Sequence, residues 1–68
     1  MAERGRVKLV KWDEERGGYF GFIECQRVPE DVWFASVAVT GMSPAPGDTV
    51  AFILSDSERP RAREVWRV

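Results

Sequence analysis

The chain has 68 residues, with ten lysines and arginines against eleven aspartates and glutamates, for a net charge of −1. Its length suffices for one small core, and its near-neutral charge argues against binding driven mainly by phosphate neutralisation. Cys25 is the only cysteine and histidine is absent, which excludes an internal disulfide, a Cys/His zinc site and histidine-based catalysis. We expect a single domain over residues 1–68, with no metal, cofactor, small-molecule substrate or enzymatic activity.

The start of the chain, residues 1–6, is charged and is not followed by an apolar segment of signal-peptide length. No apolar run approaches the length that crosses a bilayer. A lone cysteine also suits a reducing compartment. We therefore expect a cytoplasmic protein without a membrane partner.

Residues 6–12 are predicted to form the first strand, although their apolar side chains do not all fall on one face of it. Val7 and Leu9 fit one face, whereas Val10 and Trp12 fit the other. Because side chains alternate along a strand, this change predicts a bulge or sharp bend between the two pairs.

Two lysines of this strand, Lys8 and Lys11, project either to solvent or toward a ligand, and the pattern does not separate these alternatives. The charged stretch 13–18 that follows ends in two glycines. Such a stretch is typical of a hairpin connection, so it predicts that the first strand pairs with a second strand at residues 19–25.

The second strand opens with the segment GYFGFI at residues 18–23, which is apolar on both faces. Phe20 and Phe22 share one face. Either both faces are buried, or the Phe20 and Phe22 face stays exposed for a ligand with flat apolar surfaces, such as nucleic-acid bases. Gly21 between the two rings marks a bend or the close approach of a partner.

A third strand is predicted at residues 31–37, which are rich in β-branched and aromatic residues. Alternation places Val32 with Phe34 on one face and Trp33 with Ala35 on the other. If Val32 and Phe34 are in the core, Trp33 joins the exposed rings of the second strand. The opposite register, with Trp33 buried, fits the pattern about as well.

The rest of the chain contains two further strands, at residues 49–54 and 61–68, and turns at residues 26–30, 40–48 and 55–60. Five short strands with turns rich in glycine and proline predict an all-β fold. Because so short a chain cannot cover two separate sheets, we predict a small closed or nearly closed barrel.

In the fourth strand, Val50, Phe52 and Leu54 alternate onto the predicted inner face. The last strand carries Arg61 and Arg63. Two interpretations of these arginines remain open. They contact phosphates of a ligand, or they protect an edge strand from pairing with another sheet.

Five segments of the chain resemble the cold-shock domain, in the same order and at compatible spacing. They are VKW at 10–12, GYFGFIE at 18–24, DVWF at 31–34, GDTVAF at 47–52 and PRAREV at 60–65. The second and third segments are similar to the two ribonucleoprotein motifs of that family. The resemblance implies a five-stranded antiparallel Greek-key barrel, the oligonucleotide-binding (OB) fold, that holds single-stranded DNA or RNA by base stacking.

The resemblance also implies which residues form the site. The implied stacking residues are Trp12, Phe20, Phe22 and Trp33, and the implied phosphate contacts are Lys8, Lys11, Arg61 and Arg63. It further implies that Phe20, Phe22 and Trp33 are accessible to solvent on one face. The predicted core then contains Val10, Ile23, Val32, Phe34, Val50 and Phe52.

Two positions depart from the family pattern, because Ala35 and Ser36 stand where the family usually has a stacking histidine and often another aromatic residue. We expect weaker binding of single strands than is usual for the family, since each stacked base contributes about 1–3 kcal/mol. The alternative hypothesis is a barrel that has lost nucleic-acid binding and contacts a protein partner through the face of Trp33, because aromatic side chains are favoured at interfaces.

Overall fold

The computed structural model describes all residues, 1–68, and contains five β-strands and one three-residue 3₁₀ turn at Ser36–Ala38. The strands are β1 Glu3–Asp13, β2 Gly18–Cys25, β3 Val28–Ala35, β4 Thr49–Leu54 and β5 Ala62–Arg67. The predicted all-β fold is confirmed. No helix in the structure has the length and apolar character needed to cross a membrane.

The strands form one antiparallel sheet in the order β3-β2-β1-β4-β5. The sheet is strongly curled, so that its two edge strands meet. The backbone N–H of Trp33 donates to the carbonyl of Pro60 at 3.1 Å, and the N–H of Thr40 donates to the carbonyl of Val65 at 2.9 Å. The result is a half-barrel with a concave apolar inner face and a convex outer face.

The inner face holds one cluster of buried side chains. It consists of Val7, Ile23, Val32, Phe34, Val50, Phe52, Ala62 and Val65. Phe34 has no exposed surface, which confirms the predicted register of β3. Of the six residues predicted for the core, only Val10 differs, since it lies half-buried against the cluster.

The predicted bulge in β1 is confirmed, but its position differs from the expected one. Val7 pairs with Ile23 and Leu9 pairs with Phe22, so Lys8 is the extra residue. Because the bulge shifts the alternation by one, Leu9 follows Phe22 to the outer face, and the prediction that it shares a face with Val7 is wrong.

The boundaries of β3 also differ from the prediction. The strand begins at Val28, so the predicted turn at 26–30 shortens to its first two residues. Pro29 is tolerated because it lies where the pairing of β2 with β3 is irregular. Cys25 pairs with Val28 and Ile23 pairs with Val32, so Pro29 falls in the interval between these two pairs. Since the ladder is interrupted there, no hydrogen bond is lost at the proline nitrogen.

The ends of two predicted strands need further correction. Residues 36–37 lie in the 3₁₀ turn rather than in β3. Leu54, predicted to face inward, is 36% exposed. It is the last residue of β4, and the pairing with β5 shifts between Ile53 and Leu54. The regular alternation that would direct Leu54 into the core therefore ends before it.

The predicted hairpin between β1 and β2 is confirmed. The Gly17 N–H donates to the Asp13 carbonyl at 3.0 Å, and the Glu15 N–H donates to the Asp13 carboxylate at 3.1 Å. Gly17 has a φ of 68°, a conformation that glycine adopts without steric cost. This turn fixes the position of Arg16, which reaches the outer face.

Candidate nucleic-acid interface

A row of paired residues crosses the outer face of the sheet. Leu9 on β1 lies opposite Phe22 on β2, Phe22 lies opposite Trp33 on β3, and Trp33 forms an isolated bridge with Arg61. Their neighbours along the strands, such as Ile23 and Phe34, point into the core. The ladder of hydrogen bonds therefore holds Phe22 and Trp33 side by side on the outside.

A second row lies next to the first, with Lys11 opposite Phe20 and Phe20 opposite Ala35. The rings of Phe20 and Phe22 pack edge to face, with centroids 6.2 Å apart and an interplanar angle of 84°. We call Phe20, Phe22 and Trp33 the aromatic face. All three are half-buried, so the structure confirms their common face and leaves part of each ring accessible to solvent.

Ala35 stands on the outer face beside Phe20, at one end of the aromatic face. Ser36 begins the 3₁₀ turn that follows β3. A methyl group and a hydroxymethyl group offer little surface for stacking. The aromatic face is consequently limited to three rings on two strands.

Two arginines cover Trp33. The guanidinium carbon of Arg61 lies 4.9 Å from the centroid of the indole ring, and that of Arg16 lies 5.6 Å from it. An exposed cation–π contact contributes about 0.5–1 kcal/mol, whereas a stacked base contributes about 1–3 kcal/mol. A cation–π contact of this size is therefore weaker than a typical stack on the same ring.

Sequence reasoning missed Arg16 because nothing in a hairpin loop shows in which direction a side chain points. In the structure Arg16 also forms an ion pair with Asp13 at 3.5 Å, within the turn. The only signal in the sequence was its position next to Gly17, at the end of a loop that precedes two aromatic residues. That signal does not distinguish a ligand contact from a solvated side chain.

The predicted cations differ in whether a carboxylate neutralises their charge. The Lys8 ammonium group lies 3.1 Å from the Asp31 carboxylate, so its charge is partly compensated. Lys11 is exposed and lies beside Phe20 without an ion pair. Arg63 is exposed on β5, two residues beyond Arg61, and does not stack on an aromatic ring. Lys11 and Arg61 are the predicted cations that lie next to the aromatic face without a carboxylate partner.

Trp12 is the predicted stacking residue that the structure does not bring to the aromatic face. It is 65% exposed near the end of β1 and lies opposite Tyr19. Because Lys11 lies opposite Phe20, alternation directs Trp12 toward the other side of the strand. No ring packs against it.

Two surface clefts lie close to the strands that carry the candidate site. The cleft beside the aromatic face, which we call the Trp33 groove, has a volume of about 700 Å³ and is lined by Phe22, Trp33, arginines and carboxylates. A larger cleft of about 920 Å³ lies between the start of β1 and the turn from β2 to β3. It has no aromatic residue, and we call it the arginine groove after Arg4, Arg6 and Arg27, which line it together with Glu3, Glu24 and Asp31.

A scan against protein-family models and a search of curated proteins both find no match for this chain.

Proposed function

We propose that this protein binds single-stranded nucleic acid, DNA or RNA, by stacking bases on Phe20, Phe22 and Trp33. The observation that carries the proposal is the position of Phe22 directly opposite Trp33 on the outer face, while Phe34 fills the core beneath. Aromatic side chains on adjacent strands of a sheet provide successive platforms for successive bases.

The surroundings of the aromatic face support a role for stacking rather than for charge. Lys11 and Arg61 flank the rings and are available to contact phosphates, whereas the whole chain has a net charge of −1. Since every base has a π-face, binding of this type tolerates many sequences. The bases of a nucleic-acid strand that is bound to the aromatic face would be stacked on the protein. That strand would then not pair with its complementary strand.

The architecture gives a second line of support. The proposed fold is a Greek-key barrel of the OB type, similar to the cold-shock domain, and the strand order β3-β2-β1-β4-β5 with contact between β3 and β5 fits it. OB folds bind oligonucleotides on the face of their second and third strands, where Phe22 and Trp33 lie. The free Cys25 suits a cytoplasmic location, which is part of the proposal.

The test is a binding titration with labelled oligothymidine, oligouridine and a DNA duplex of equal length, followed by fluorescence anisotropy. We expect both single strands to bind and the duplex to bind much more weakly, because paired bases present no free faces. Trp33→Ala should weaken single-strand binding about tenfold, the loss of one modest stack.

Trp12→Ala is the matched control, since it removes the same side chain from a position away from the aromatic face. We expect it to change the affinity less than threefold. If Trp33→Ala remains folded and binds single strands as the parent does, the aromatic face does not hold nucleic acid. The protein-partner hypothesis would then take precedence.

A further inference from the structure

The Trp33 groove is lined by three kinds of side chain: aromatic rings, arginines and carboxylates. Its floor includes the aromatic rings of Phe22 and Trp33, and Arg16 and Arg61 lie over the indole. Its wall includes the carboxylates of Glu30, Asp31 and Glu58. A volume of about 700 Å³ lies within the range that holds a small ligand such as one nucleotide.

The mixed charge indicates which part of a nucleotide this groove suits. Three arginines, Arg16, Arg59 and Arg61, face three carboxylates in this groove, so it lacks the net positive charge that favours a phosphate. A base edge with both acceptors and donors makes use of both kinds of group. The arginines provide donors only and the carboxylates provide acceptors only.

Guanine is the base whose edges match this arrangement. Its O6 and N7 atoms accept two hydrogen bonds from one arginine fork, the commonest specific contact to a base. Its N1–H and N2–H₂ groups donate on the adjacent Watson–Crick edge, where a carboxylate accepts. Adenine places a donor beside N7, and thymine and uracil have no two adjacent acceptors, so none of the three matches an arginine fork as well. Cytosine has adjacent acceptors at N3 and O2 but only the N4 amino group as a donor, whereas guanine offers two donor groups to a carboxylate.

We propose that the Trp33 groove is a guanine subsite. The guanine stacks on Trp33, the guanidinium of Arg61 moves from the face of the indole to donate to O6 and N7, and Glu58 accepts from N1–H and N2–H₂. Asp31 is already paired with Lys8 at 3.1 Å, whereas Glu30 and Glu58 have no ion pair. Of these two, Glu58 lies in the same loop as Arg61, three residues before it, and is assigned to the base for that reason. For guanine within a strand this inference rests on the proposed function; a free guanosine mononucleotide presents the same chemistry.

The test compares heptathymidine with strands that carry one central guanine, hypoxanthine or 7-deazaguanine. We expect the guanine strand to bind about tenfold more tightly than heptathymidine. Hypoxanthine lacks the 2-amino group and 7-deazaguanine lacks N7, so each should lose part of this preference. Guanosine 5′-monophosphate and adenosine 5′-monophosphate are titrated in parallel.

Variants identify the groups that recognise the base. Arg61→Lys keeps the charge but removes the fork, so it should abolish the difference between guanine and 7-deazaguanine. Glu58→Gln should reduce the difference between guanine and hypoxanthine. Arg27→Lys in the arginine groove is the matched control and should keep the full preference.

The possible outcomes separate this inference from the proposed function. Equal binding of all single strands would overturn the guanine subsite and leave single-strand binding intact. Binding of guanosine monophosphate without binding of any strand would support the subsite and overturn strand binding. Failure of every ligand to bind, or a guanine preference unchanged in both Arg61→Lys and Glu58→Gln, would overturn the subsite as assigned.

Discussion

Gly21 lies directly over the ring of Phe34. A β-carbon built on Gly21 would be 2.6 Å from Cζ of Phe34 and 2.6 Å from the carbonyl oxygen of Leu9. The absence of a side chain at Gly21 therefore lets Phe34 fill the core beneath β2, while Phe20 and Phe22 point outward on either side. Of the two explanations that the sequence allowed for Gly21, the structure supports a close approach, although the approaching group is a core side chain rather than a partner.

Substitution of Gly21 by alanine should destabilise the fold by about 1–3 kcal/mol, the usual cost of an added methyl group in a packed core. Urea unfolding measures the free energy of unfolding. The matched experiment repeats the substitution in a Phe34→Leu background, where the ring edge is gone. In that background Gly21→Ala should lower the free energy of unfolding by less. An equal loss in both backgrounds would show that Phe34 is not the group that excludes the added methyl.

The sequence predicted the fold more completely than the site because strand periodicity depends on local alternation. The inward residues Val50 and Phe52 follow from alternation alone, whereas the faces of β2 and the register of β3 needed the resemblance, which chose between Trp33 and Phe34. The bulge at Lys8 was predicted only approximately, since a phase change shows that an extra residue exists but not which residue it is.

Contacts between segments that are distant in the chain could not be predicted from the sequence. The pairing of Lys8 with Asp31 joins β1 to β3 across β2, and Arg16 reaches Trp33 from a loop. Both depend on the curl of the sheet and on loop geometry, neither of which leaves a periodic signal. The same limitation explains why Trp12 was predicted to be a stacking residue. Its segment resembles the family motif, but the register of β1 directs its side chain away from the aromatic face.

Replacement of Ala35 by histidine should extend the aromatic face, because Ala35 lies directly opposite Phe20 on the outer side of the sheet. One additional modest stack should tighten binding of oligothymidine about tenfold. Ala35→Leu is the control, since it adds a side chain of comparable bulk without a flat π-face. Equal tightening by leucine would indicate general apolar contact rather than stacking.

Salt dependence tests how many cations contact the strand. Two or three phosphate contacts predict a slope of log affinity against log salt of roughly −0.7 for each contact, or about −1.4 to −2.1 in total. Asp31→Asn removes the carboxylate partner of Lys8. If the freed Lys8 then contacts a phosphate of oligothymidine, the slope should become steeper by roughly 0.7.

A parent slope several times steeper than this would contradict the claim that stacking dominates. An unchanged slope in Asp31→Asn would show that Lys8 does not reach the strand even when its partner is removed. The comparison uses oligothymidine rather than a strand with guanine, because Asp31 also lines the Trp33 groove.

The most direct test of the central claim is a titration of isotope-labelled protein with oligothymidine, followed by the backbone amide signals in NMR spectra. The aromatic face and the arginine groove have no residue in common and differ in chemistry, although Asp31 lines both the arginine groove and the Trp33 groove. If bases stack on the aromatic face, the largest shifts will occur at Phe20, Phe22 and Trp33, with little change at Arg4 and Arg27. Shifts concentrated around the arginine groove, with the aromatic face unaffected, would contradict the claim.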